Sequence, residues 1–141
     1  MGELRLRTVR GTNLFSVPVL LSLLNSPIQG CKAELLLATA ASTLFLKQEL
    51  MESLGGTPSD PRFNVVAGTG VTPLPTVSDL RVSLGPPEER RTIRLLRVPV
   101  LPARGDGTES PDGVLGADVL HRINAKLSVD YSKKEGVLSW P

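Results

Sequence analysis

Asp112 and Asp118 flank the run Gly113-Val114-Leu115-Gly116-Ala117, and two carboxylates brought together can share a proton and hold a hydrolytic water. Each also has a simpler role. Asp118 is a good N-cap type ahead of the apolar Val119, Leu120 and Ile123, and Asp112 is a turn residue, so the pair reads first as scaffold. His121 could act as a base for a serine or for Cys31, but a lone histidine just after a helix start reads as a surface or cap residue. The hydroxyls of Thr39, Ser42 and Thr43 have no base near them in sequence. They belong to the stretch Glu34-Leu35-Leu36-Leu37-Ala38-Thr39-Ala40-Ala41-Ser42-Thr43-Leu44-Phe45-Leu46, where an apolar run enters a knot of very small residues and a second apolar run leaves it. Small residues between strand-like runs imply a tight buried loop with other chain passing close by. Asp60, Asp79, Asp106 and Asp130 fall in loops or on the outer face of alternating strands.

These groups must be held by a largely β framework. Leu4 to Arg10 alternates apolar and basic residues, the period of a half-buried strand. Leu14 to Leu21 is β-rich, with Pro18 marking an edge or bulged strand. Asn25 to Gly30 is turn chemistry, which makes the runs on either side of it a hairpin. Lys47 to Leu54 reads as a two-turn helix with Leu50 and Leu54 on one face, stopped by Gly55-Gly56. Thr57 to Arg62 reads as a polar connection, and Phe63 to Ala67 as a strand. Gly68-Thr69-Gly70 then forms a tight turn; it lacks the further glycine or Gly-Lys-Ser/Thr of a phosphate-binding loop. Val77 to Leu84 alternates with a slip at Ser78-Asp79. Thr92 to Leu101 is the most β-like run of the chain. Ala103 to Pro111 is loop by composition. Asp112 to Leu120 reads as an apolar strand broken by glycine, with a helix starting at Asp118. Lys126 to Tyr131 and Val137 to Trp140 form a closing hairpin. The expectation is a mostly-β single domain over residues 1–141, with one or two short helices.

Composition removes several classes. The 141 residues carry a net charge of +2, with 40% hydrophobic and 21% charged residues, the profile of a globular chain. The basic residues are scattered, and the three Phe, one Tyr and one Trp offer little for base stacking, so nucleic acid is not an expected partner. The single Cys31 and single His121 exclude an internal disulfide and a cysteine or histidine metal cluster, and no cofactor is expected. One thiol fits an intracellular or organellar compartment. Leu14 to Leu24 is too short and too interrupted to span a bilayer. The start, Met1-Gly2-Glu3-Leu4-Arg5-Leu6, has no signal-peptide core and carries Leu6 where myristoylation requires Ser or Thr. No membrane insertion is expected.

Taken in order, the motifs resemble one lobe of the retropepsin-like, or retroviral-type, aspartic proteases. Leu36-Leu37-Ala38-Thr39-Ala40-Ala41-Ser42-Thr43 is similar to that family's catalytic loop, a hydrophobic pair followed by Asp-Thr-Gly-Ala-Ser. Lys47 to Gly55 is similar to the helix that follows it. Gly68-Thr69-Gly70 stands where the flap hairpin, or peptide cleft, should be. Gly113-Val114-Leu115-Gly116-Ala117-Asp118-Val119-Leu120 is similar to the Ile-Leu-Gly-x-Asp-x-Leu motif, and Asn124 to Tyr131 continues it. The stretch Leu20 to Lys32 is longer than the family's usual hairpin, and the flap turn matches weakly.

The resemblance implies a single-lobe acid-protease β-barrel with a degenerate site. Ala38 stands at the position of the catalytic aspartate and Ala40 at that of the glycine. A lobe of this kind supplies one carboxylate, so an active enzyme would be a homodimer, and Ala38 would remove the carboxylate from both subunits. Alanine neither accepts a proton nor orients water. A methyl at position 40 would crowd space that the glycine keeps open, and Thr39 is left as the loop's polar anchor, bonding within or across it. The expected function is an inactive structural, dimerisation or peptide-binding module with a protein or extended peptide as partner, alone, as a homodimer or in a larger assembly. The alternative is an active-site mutant of a homodimeric aspartic endopeptidase, with Ala38 and Ala40 engineered. A third reading is an unrelated small barrel whose resemblance is chance, which a structure lacking a crossed loop beneath Gly113 to Gly116 would show.

Overall fold

The computed structural model describes residues 2–28, 30–57, 59–67, 70–101 and 112–141, of which 59–67 and 70–72 are described as backbone. The strands are β1 (Gly2–Arg5), β2 (Arg7–Thr8), β3 (Phe15–Leu23), β4 (Cys31–Leu37), β5 (Phe45–Lys47), β6 (Ser59–Ala67), β7 (Gly70–Leu84), β8 (Arg91–Leu101), β9 (Gly113–Leu115), β10 (Lys126–Asp130) and β11 (Glu135–Trp140). Two short helices, α1 (Gln48–Ser53) and α2 (Ala117–Arg122), and a 3-10 turn at Pro87–Glu89 complete the described elements.

The larger sheet runs β2-β3-β4-β9-β5-β8-β7-β6, and a further pairing of β3 with β7 closes β3-β4-β9-β5-β8-β7 into a six-stranded barrel. Closure removes the free edges that an open sheet of this size would expose. Its interior is filled by alternate residues of each strand, as the two-residue period requires. Val17, Val19, Leu21 and Leu23 point inward from β3, and Leu80, Val82 and Leu84 from β7. Leu35 of β4, Leu46 of β5 with Leu44 just before it, and Leu115 of β9 meet beneath the small-residue loop, all fully buried. At about 1.5–3 kcal/mol for each fully buried aliphatic side chain, this core is the main stabilising term.

The alternation of Leu4 to Arg10 is real, but the run is not one strand. β1 pairs with β11 in a three-stranded sheet, β1-β11-β10, and β2 pairs with β3 in the barrel sheet. Leu6, buried between them, donates its N–H to the Gly136 carbonyl and marks the switch. Pro18 also sits otherwise than expected: β3 is interior to the sheet, flanked by β4 along one side. On its other side β2 pairs only with Phe15 and Ser16, and β7 with Leu20 to Leu23. Pro18 lies in the interval between them, where a missing N–H breaks no ladder on that side. The slip at Ser78-Asp79 corresponds to a left-handed Asp79, φ 58. It shifts the phase of β7 so that Val77 and Leu80, three apart, both face the core.

The residues read as a polar connection before Phe63 instead extend β6 back to Ser59, with a register shift between Ser59 and Phe63. α1 follows the expected helix closely. Leu50, Met51 and Leu54 are buried, and Gly55 takes the positive φ of +82 that ends it. The loop expected over Ala103 to Pro111 lies outside the described residues. Among the described residues no helix is long and apolar enough to cross a membrane.

Candidate functional site: a loop crossed over a strand

The small-residue loop joins β4 to β5, and β9 runs between those two strands. β9 is parallel to β4 (Leu35↔Gly113, Leu36↔Val114, Leu37↔Leu115) and antiparallel to β5 (Phe45↔Val114, Leu46↔Gly113). The connection 38–44 therefore crosses over the end of a strand that arrives from far along the chain. The absence of this crossing would have marked an unrelated barrel, and the crossing is present.

Two glycines make the crossing possible. A Cβ at Gly113 would lie 2.1 Å from the Phe45 carbonyl oxygen, and one at Gly116 would lie 2.5 Å from that of Thr43. Neither needs a left-handed backbone; each is needed because another stretch of backbone occupies the place of a side chain. Backbone bonds then pin the loop to the strand beneath: Ala38 N–H to Leu115 O at 3.1 Å, Ala117 N–H to Ala41 O at 2.8 Å, and Ala41 N–H to Ala38 O at 3.0 Å.

Asp118 is not the helix N-cap. Gly116 holds that position without a side-chain hydrogen bond, and Asp118 sits inside the first turn of α2. Its Oδ2 accepts from the Leu44 N–H at 3.2 Å and the Thr43 hydroxyl at 3.4 Å, and its Oδ1 from the Val119 N–H at 2.8 Å. The carboxylate thus ties the exit of the loop to α2. Asp112 is more than a turn residue: its Oδ2 accepts from the Glu34 N–H at 3.1 Å while its own N–H donates to Glu34 O at 2.9 Å. Both groups are committed to the scaffold at opposite ends of β9, and they do not form a shared dyad.

The loop itself presents Ala38 half-buried and Thr39 and Ala40 exposed. Within this chain Thr39 makes no side-chain hydrogen bond to any described residue; the bond that ties the loop to the scaffold is that of Thr43 with Asp118. Sequence reasoning missed it because Thr43 and Asp118 are 75 residues apart; a Thr-Leu after the small residues and an Asp after Gly-Ala were the available signal. Within one chain the Ala40 methyl is exposed, so any crowding there requires a second chain. Beside the loop lies a hollow of 470 Å³ lined by Thr39, Ala117, Leu120, His121, Asn124 and Ala125. His121 is exposed on its rim, and no side-chain hydrogen bond among the described residues links it to Cys31, Ser42 or any other group. Gly68 and Thr69 of the expected flap lie outside the described residues; the Gly70 backbone opens β7 opposite Ala67.

Removing the Asp118 carboxylate leaves the Leu44 N–H, in a fully buried residue, without its acceptor. Asp118→Ala should cost about 1–3 kcal/mol in urea unfolding, and Asp118→Asn, which keeps an acceptor, visibly less.

The barrel, the crossing beneath a short loop and the two short helices define a single retropepsin-like lobe. A retropepsin-like aspartic protease from Rickettsia conorii has a similar structure, at a TM-score of 0.58 and 19% identity over 97% of this chain and 90% of that one. No protein-family model and no curated protein sequence matches the chain.

Proposed function

We propose that residues 1–141 form one catalytically silent aspartic-protease-like domain, retained for contacts with other protein. One observation supports this reading: the loop 38–44 crosses β9 in a retropepsin-like fold, and Ala38 stands where the resemblance would place a carboxylate. The two carboxylates near β9, Asp112 and Asp118, are occupied by backbone N–H groups of the scaffold. Hydrolysis by this class of site needs a pair of carboxylates of unequal proton affinity around one water, and alanine supplies neither charge nor hydrogen bond. Thr39, Ala40 and the adjoining hollow then form a contact surface, for a second copy or for a subunit of an assembly, and the Gly68-Thr69-Gly70 turn is the expected flank of a peptide cleft.

The chain should cleave no peptide library at acidic or neutral pH; pepstatin-sensitive cleavage would overturn the proposal. The double variant Ala38→Asp/Ala40→Gly tests the alternative, an active enzyme in mutated form. Cleavage by the folded variant would establish that alternative. A folded, dimeric and inert variant would reject it. Light scattering on the unaltered chain separates monomer from dimer.

A further inference from the structure

The outer faces of β7, β8 and the end of α2 carry more positive charge than the bonds within the fold engage. Arg81 and Arg94 are directly opposite each other on neighbouring antiparallel strands, an arrangement that like charges destabilise. Arg97 follows on β8, opposite Ser78. Arg122 closes the group from α2, where its guanidinium donates to the Arg94 carbonyl. All four arginines are exposed. The one carboxylate bonded to them among the described residues is Asp79, which takes Arg94 through Oδ1. Four guanidinium groups against one carboxylate is a local excess, in a chain whose total charge is +2. Between Arg94 and Arg97 stands Leu96, 68% exposed, the most exposed large aliphatic side chain of the described residues.

We propose that this face is a docking surface for an extended acidic polypeptide segment that carries an apolar anchor. Charge complementarity selects the acidic partner. The guanidinium is a planar fork suited to carboxylates, and a bound carboxylate would relieve the Arg81–Arg94 repulsion. Leu96 selects polypeptide over nucleic acid. The described part of the face presents an aliphatic side chain where base stacking would call for aromatic ones, and a leucine ringed by charge is the pattern of an apolar contact with a polar rim. The surface belongs to β7, β8 and α2 and not to the loop 38–44, so it stands independently of the reading of that loop.

The test is fluorescence anisotropy with a labelled peptide of alternating Glu and Gly around a central Leu-Phe pair, compared with the same peptide lacking that pair and with single-stranded oligouridine. Binding of the first peptide should weaken at least about tenfold in Arg81→Glu/Arg97→Glu and in Leu96→Ala, and fall as salt rises. Arg81→Gln/Arg97→Gln repeats the test with neutral side chains should the charge reversal disturb folding, which circular dichroism reports. No binding by the unaltered chain overturns the proposal. So does equal binding by the variants, or oligouridine bound more tightly than either peptide with no effect of Leu96→Ala.

Discussion

Replacing Gly113 by alanine should cost the domain about 3 kcal/mol or more, enough to lower its melting temperature by roughly 10 °C or to leave it unfolded. The added methyl would stand 2.1 Å from the Phe45 carbonyl oxygen and 3.2 Å from the Leu35 side chain and the Leu46 Cα. The Phe45 carbonyl and the Leu46 Cα are backbone, which cannot turn aside as the Leu35 methyl can. β5 and β9 would have to part at the Leu46↔Gly113 pair, breaking the sheet where the loop crosses it. Gly11 is the control. Its φ of +78 disfavours any other residue, but nothing lies within 4 Å of a Cβ built there. Gly11→Ala should therefore cost only the backbone term of about 1–2 kcal/mol. Thermal melts followed by circular dichroism compare the two; equal losses would mean that close approach is not what Gly113 provides.

That contrast also marks how much of the site could be read from residue types. The knot Ala38 to Ser42 announced tight space, while Gly113 and Gly116 read only as breaks in an apolar strand; the fold brings the two together at one crossing. The helix after the loop and the slip at Ser78-Asp79 were likewise visible, because each is a local departure from a simple period: a glycine stop in one, a left-handed residue in the other. What could not be read depends on partners remote in sequence. Nothing local distinguishes Leu6 from any other alternating residue, yet the chain changes sheets there. Asp118 has the type and position of a helix cap, and its carboxylate is drawn instead to Leu44, 74 residues earlier. The prolyl ring of Pro18 tells of a missing donor but not that two different strands stop short of it on one side.

The same limit makes Trp140 the residue whose importance the sequence most understates, since it reads there as the end of a returning strand. In the fold it is 3% exposed and its indole N–H donates to the Glu89 carbonyl at 3.1 Å, joining the last strand to the turn between β7 and β8. Two glycines accommodate the ring: a Cβ at Gly2 would fall 1.9 Å from Nε1, and one at Gly85 2.6 Å from Cζ2. Gly2 is the Cα partner of Trp140 in the β1–β11 pairing, so the indole packs across the opening of β1. Trp140→Ala removes this packing and the hydrogen bond together and should cost about 3–5 kcal/mol in chemical unfolding. Trp140→Phe keeps an aromatic ring but no donor, and should cost less, with the buried part of the Glu89 bond contributing about 1 kcal/mol of the difference from the unaltered chain. Because the indole joins β1, β11 and the Pro87–Glu89 turn, the alanine variant should lose amide protection in β1 first, while the crossing of β9 beneath the loop 38–44 stays protected. Hydrogen exchange resolved by residue reads that order, and simultaneous loss in β1 and β9 would show instead that the three-stranded sheet and the barrel unfold as one unit.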